Sequence, residues 1–270
     1  NPTLIKRIFR FAFALLLCST LSLPSIAFAA KVTPFGVALS LANAPNSDGL
    51  DLVSGLALTS AIGSHMSQVW SWRKQQSIPF HDNVIPIAQQ FGLKILFQIS
   101  PTGIGSPTPP NGLPKTFSDP ATRAKYLEDV AHFAEFQPEY LNLCAEVNLM
   151  YEFNNPEFEH YKTLYREAYD LVKSISPNTQ VGVSMLDVLF VGYRQFSVIN
   201  ELGPVDFVGF TTYPAKLIKS GLLGEVNNLS EFPRDWYQVA RIVFPDTPIL
   251  YTEIGWSSKQ ISDEQEQAAF

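Results

Sequence analysis

The stretch Phe35–Gly49, FGVALSLANAPNSDG, opens as a short apolar strand and runs into a polar turn. It carries no glycine-rich cradle of the kind that holds a phosphate after the first strand of a dinucleotide-binding sheet. That absence decides between two architectures, because the chain beyond it alternates strands with helices and so specifies parallel βαβ units.

The candidate strands are PFGVALS, SHMSQVWSW, LKILFQIS, YLNLCAEVN, QVGVSML, VDFVGFTTYP and TPILYTE. LKILFQIS is continuously apolar at its centre, the mark of a strand covered on both faces. Helices are read between the strands. The best marked has Asp119 as cap, Pro120 at its first position, and Tyr126, Val130 and Phe133 on one face. A second begins at Asn155 and Pro156 and carries Phe158, Tyr161, Tyr165, Ala168, Val172 and Ile175 as its stripe. SPTGIGSPTPPNGLPKTFSDP, between the third strand and the Asp119 helix, reads as one long loop.

With the nucleotide-binding sheet set aside, the prediction is an α/β fold, a (β/α)8 TIM barrel. Only SSKQISDEQEQAAF follows the seventh strand, and the chain opens on Asn1 rather than Met. The barrel is therefore expected to be truncated before its eighth strand, a fragment of a longer reading frame.

Residues 1–29 read as a signal peptide: the basic KRIFR, an apolar run from Phe11 to Leu23, and Ala27 and Ala29 in an A-x-A cleavage pattern. The barrel domain is then residues 30–270, secreted or periplasmic, with no stable membrane association after cleavage. Loss of Lys6, Arg7 and Arg10 takes the formal charge from −6 to −9. An acidic exported protein is not a nucleic-acid binder. Cys144 is then the remaining thiol of the two cysteines, so an internal disulfide is excluded and stability rests on packing. A monomer is expected.

Functional residues of such a barrel lie at the C-terminal ends of its strands. Two candidate strands end in glutamate: the fourth in Glu146, within YLNLCAEVN, and the seventh in Glu253, within PILYTEIGW. Carboxylates facing each other over a concave site can divide glycosidic cleavage between an acid and a nucleophile. Glu152, nearby in YEFNN, competes with Glu146 for the role.

These strand-end glutamates, with DFVGFTTYP on the sixth strand and TEIGW on the seventh, resemble the retaining glycoside hydrolases of clan A, the four/seven superfamily, and most closely its endo-galactanase-like and related families. The resemblance implies that Glu146 is the general acid/base and Glu253 the nucleophile. It further implies that Tyr213 places a hydrogen bond on the nucleophile and that Trp256 stacks on a sugar ring. The clan's usual Asn directly before the acid/base is here Ala145, and Asn148 is the candidate to take over its contact with the substrate. Of the two tryptophans at the second strand, Trp70 is expected to line the cleft and Trp72 to face the outer helices.

His65, His81, His132 and His160 have no ligand spacing, no G-x-S-x-G surrounds a serine, and Cys144 reads as a packed, inert thiol. The expectation is a cofactor-free glycosidase acting on a β-linked polysaccharide or oligosaccharide by double displacement. The alternative is a carbohydrate-binding barrel that has lost turnover, for which Ala145 is the motive.

Overall fold

The computed structural model describes residues 36–38, 49–213 and 235–255, with side chains from 52 onward. The expected signal peptide and the segment beyond the seventh strand lie outside them. The described chain is an α/β fold of the (β/α)8 barrel type. Its strands are β1 (Gly36–Ala38), β2 (His65–Ser71), β3 (Lys94–Ser100), β4 (Tyr140–Asn142), β5 (Gln180–Leu186), β6 (Phe207–Thr212) and β7 (Ile249–Ile254). They pair in that order, every pair parallel.

The helices are α1 (Gly49–Ile62), α2 (Ile78–Gln90), α3 (Pro120–Ala134), α4 (Val147–Phe153), α5 (Asn155–Ile175), α6 (Asp187–Gly192), α7 (Val198–Leu202) and α8 (Gln238–Val243). Asp119 caps α3 as its sequence position requires, accepting the Thr122 N–H at 2.8 Å. The predicted stripe of α5 is buried from Phe158 to Val172 and half-buried at Ile175.

Three details depart from the sequence reading. The loop after β3 contains a small antiparallel hairpin, Thr102–Gly103 with Ser106–Pro107. The fourth strand is only three residues long, so Glu146 lies four residues past its end. The helical stretch after β5 is two short helices, α6 and α7.

The sheet curls. Neighbouring strands lie about 4.8 Å apart, so a flat sheet would hold β3 and β7 far out of contact. Instead the Gln98 amide of β3 donates to the Thr252 carbonyl in β7 at 3.5 Å. The inner face this creates is polar at its centre. Gln98 Nε2 donates to Ser67 Oγ at 3.2 Å, and Asn142 Nδ2 donates to Gln98 Oε1 at 2.9 Å and to Ser184 Oγ at 3.0 Å. Gln98, Asn142 and Ser184 are fully buried, and such groups persist inside a fold only with partners.

The outer face is apolar and packs against the helices. Phe97 stacks on Phe133 at 4.1 Å between ring centroids, and Trp70 packs on the same ring at 4.9 Å. Each large aromatic buried here contributes on the order of 2–3 kcal/mol.

His81 of α2 is part of this layer, with its ring edge-on to Phe80 and Phe97 and its Nδ1 buried without a hydrogen-bond partner. Burial pushes its pKa down to about 4. The unfolded chain takes up this proton near pH 6.5, ahead of the folded one, so His81 withdraws stability as pH falls from 6.5 toward 4. Unfolding free energies from urea titrations between pH 7 and 4 should therefore fall less steeply in His81→Leu than in the wild type, by on the order of 2 kcal/mol at the acid end.

Candidate active site

The segment from Leu143 to Glu146 carries the chain from β4 to α4, and its backbone is tied down at each step. The Leu143 N–H donates to the Gly182 carbonyl at 2.8 Å, and the Leu143 carbonyl accepts the hydroxyls of Tyr126 and, at 2.9 Å, Tyr161. The Cys144 N–H donates to Asn142 Oδ1 at 3.1 Å, and the Ala145 N–H to the Ile99 carbonyl at 3.1 Å. The Glu146 N–H donates to Ser184 Oγ at 3.2 Å.

Glu146 itself is left-handed, with φ 55° and ψ 48°, a conformation that costs an L-residue about 1–2 kcal/mol. Its neighbours determine it, and it turns the half-buried carboxylate toward β6. There Thr211 donates its hydroxyl to Glu146 Oε1 at 2.7 Å.

Thr211 is also the register partner of Glu253 on β7, just past a bulge at Phe210/Thr211. Register partners on parallel strands share a face, so the Thr211 and Glu253 side chains point to the same side, about 4.8 Å apart at the backbone. Tyr213 completes the group by donating its hydroxyl to Glu253 Oε2 at 2.5 Å. Burial raises the Tyr213 pKa well above its ordinary value, followed by the hydrogen bond and charge of Glu253 and then the charge of Glu146. The phenol therefore stays protonated, as a donor.

Gly255 is needed for this contact, because a Cβ there would stand 2.8 Å from the Tyr213 ring. Glu146, Tyr213 and Glu253, each half-buried, are thus linked with the buried Thr211 in one candidate cluster past the C-terminal end of β4 and at the ends of β6 and β7.

Glu152 does not compete for this place. Its Oε2 accepts the amide of Gln195, in the segment between α6 and α7, at 2.7 Å.

Two predicted substrate contacts are corrected. Asn148 is fully buried, and its amide donates to the Leu186 carbonyl at 3.0 Å and to Gln195 Oε1 at 2.9 Å, while its Oδ1 accepts the Leu186 N–H at 2.8 Å. These bonds tie α4 to the end of β5 and leave no donor for a sugar. Trp70 is 1% exposed, packs on Phe133, and gives its indole N–H to the Lys74 carbonyl at 3.3 Å. Residues two apart on a strand share a face, so Trp70 and Trp72 both enter the helix layer, where Trp72 donates to Asp129 Oδ2 at 2.8 Å. Trp256 lies outside the described residues.

Cys144 is buried, and burial pushes its thiol up to about 12, which makes it a poor nucleophile. No group of three metal-ligating side chains occurs among the described residues, and no described helix is long and apolar enough to cross a membrane.

A third strand-end carboxyl, Asp187 after β5, went unread in the sequence. It is buried with Trp236, whose indole N–H donates to its Oδ2 at 2.8 Å. It lies beside Phe190, Phe210 and Tyr251 in the helix layer rather than with the glutamates.

No family model and no curated protein matches the chain by sequence. Its fold, however, is similar to solved glycoside hydrolase structures. A family 39 enzyme from the gut symbiont Bacteroides cellulosilyticus matches with a TM-score of 0.57 at 16% identity, over 87% of this chain and 51% of that one. Endoglucanase Cel5A from the hyperthermophilic Thermotoga maritima matches at 0.53 and 16%, over 79% and 74%. A GH5 enzyme from Streptomyces cattleya, in complex with Manβ1-4GlcNAc, matches at 0.51 and 13%, over 67% and 52%. The chain thus spans about half the length of two of these three.

Burial raises the Asp187 pKa, so the folded state takes up its proton first and the charged carboxylate costs stability above the acid range. Asp187→Asn keeps an acceptor for Trp236 and removes that cost. Thermal melts should show the variant above the wild type at pH 7, with the gap closing as pH falls.

Proposed function

We propose that the chain is the barrel of an exported retaining glycoside hydrolase of the clan A type, acting without a cofactor on a β-linked polysaccharide or oligosaccharide. The observation that carries this reading is Thr211, which lies in register with Glu253 while donating to Glu146. A single residue of β6 thus links the glutamate after β4 to the one on β7, which supports a shared role for the two. The similarity of fold to solved glycoside hydrolases supports the same class, and one of those structures holds a β-linked disaccharide.

In this reading the Glu253 carboxylate attacks the anomeric carbon as the bond to the departing oxygen breaks, and Glu146 gives that oxygen its proton. Water then yields a proton to Glu146, attacks the same carbon, and breaks the ester to Glu253. Two inversions leave the anomeric configuration retained. Tyr213 holds one Glu253 oxygen, which leaves the other to attack. Thr211 holds Glu146 Oε1 through its hydroxyl and so fixes the direction in which that carboxyl faces.

Ala145 supplies no side chain for the substrate 2-hydroxyl, and Asn148 is fully engaged elsewhere. A contact worth several kcal/mol in the clan's transition state is thus missing from its usual place.

The test is hydrolysis of aryl and natural β-glycosides, with galactan included to examine the endo-galactanase-like affinity, on a full-length exported chain. Glu253→Gln should abolish turnover, and Glu146→Gln should lower kcat/KM by about 10²–10⁴-fold on substrates with poor leaving groups. Sugar binding without turnover by the wild type would make the protein a binding barrel instead.

A further inference from the structure

We infer that Ser184 is a positioning residue for the acid/base. This rests on the reading of Glu146 above and goes beyond it to the way the carboxyl is aimed. Ser184 lies at the centre of β5, fully buried on the polar inner face. Its Oγ accepts twice, from Asn142 Nδ2 at 3.0 Å and from the Glu146 N–H at 3.2 Å, while its own N–H donates to the Cys144 carbonyl at 3.0 Å. Ser184 thus grips the segment leaving β4 at both Cys144 and Glu146.

The Glu146 bond is the one that bears on chemistry. A left-handed residue in the middle of a chain reversal directs its side chain by its own φ and ψ, and Glu146 is held there against an intrinsic preference for other regions. Removing the acceptor on its N–H takes away the tie from β5 and lets the residue relax toward its preferred backbone regions. Relaxation would swing the carboxyl away from Thr211 and from the departing oxygen.

The neighbouring strand reinforces the arrangement. Gly209 of β6 lies directly beside Ser184, and a Cβ there would stand 2.9 Å from the Ser184 Cβ. The bare glycine lets β5 and β6 close on this serine. Asn142 aligns it in turn, since its amide is shared with Gln98 Oε1 and its Oδ1 takes the Cys144 N–H. A chain of polar groups running from the half-buried Ser67 through the buried Gln98, Asn142 and Ser184 therefore ends on the backbone of Glu146.

The chemistry supplies a readout that general damage to the fold would not imitate. An alkoxide or sugar leaving group requires a proton from Glu146, whereas a 2,4-dinitrophenolate does not, and kcat/KM reports that bond-breaking step. Ser184→Ala should lower kcat/KM about 10- to 100-fold on a glycoside with a sugar or alkyl leaving group. On the dinitrophenyl glycoside kcat/KM should stay within about threefold of wild type. There kcat and KM should fall together, because the same carboxyl acts as base when water releases the enzyme. Ser184→Thr, which keeps the oxygen, should recover the wild-type dependence on leaving group.

Equal losses on both substrates, or no loss on either, would overturn the role of Ser184. Glu146→Ala, assayed alongside, separates the two claims. If it shows the graded loss and Ser184→Ala does not, only the positioning role fails. If Glu146→Ala itself loses equally on both, the acid/base reading fails and the positioning role with it.

Discussion

Glu146 reaches the strand next to Glu253 because the chain leaves β4 through a single left-handed residue. A strand that simply continued would carry Glu146 along its own direction. Left-handed geometry at φ 55° turns the carboxyl to Thr211, the residue opposite Glu253 in the sheet. That geometry is unfavourable for glutamate taken alone, and it persists because nearly every polar backbone group around it is spoken for. Two tyrosine hydroxyls fix the Leu143 carbonyl, Asn142 fixes the Cys144 N–H, and Ser184 fixes the Glu146 N–H. The apolar outer layer holds the tyrosines, and the polar inner face holds Asn142 and Ser184, so both halves of the core act on one peptide segment.

Much of this was legible in the sequence. Seven parallel strands follow from the alternation of short apolar runs with capped amphipathic helices, and Asp119 and the α5 stripe are placed where their patterns put them. The strand-end position of Glu253 was readable too, since PILYTE is a regular strand up to the charge. Glu146 was harder. YLNLCAEVN looks like one continuous strand, but the ladder ends at Asn142 and the last residues turn into α4. No local signal distinguishes that irregular exit, because tertiary hydrogen bonds impose it.

The residues the sequence misplaced follow a common logic. Tryptophan suggests sugar stacking, but Trp70 shares its strand face with Met66 rather than with Ser67, and that face meets Phe133. Asn148 is polar and close to Glu146 in sequence, yet about half a helical turn carries it to Leu186 and Gln195. A usable signal lay elsewhere. Gln98 and Ser184 are polar residues inside otherwise apolar strands, Asn142 is the last residue of β4, and all three face the inner wall. Read together, they trace the line of hydrogen bonds that ends at Glu146.

The central claim, that Glu253 and Glu146 divide one displacement between them, is tested most directly by trapping the covalent intermediate. A 2-deoxy-2-fluoro β-glycoside with an activated leaving group slows the second step more than the first. Peptide mass spectrometry after incubation should find one glycosyl group, attached to Glu253. A glycosyl group on any other carboxylate, or hydrolysis to the inverted anomer with no adduct, would contradict the account.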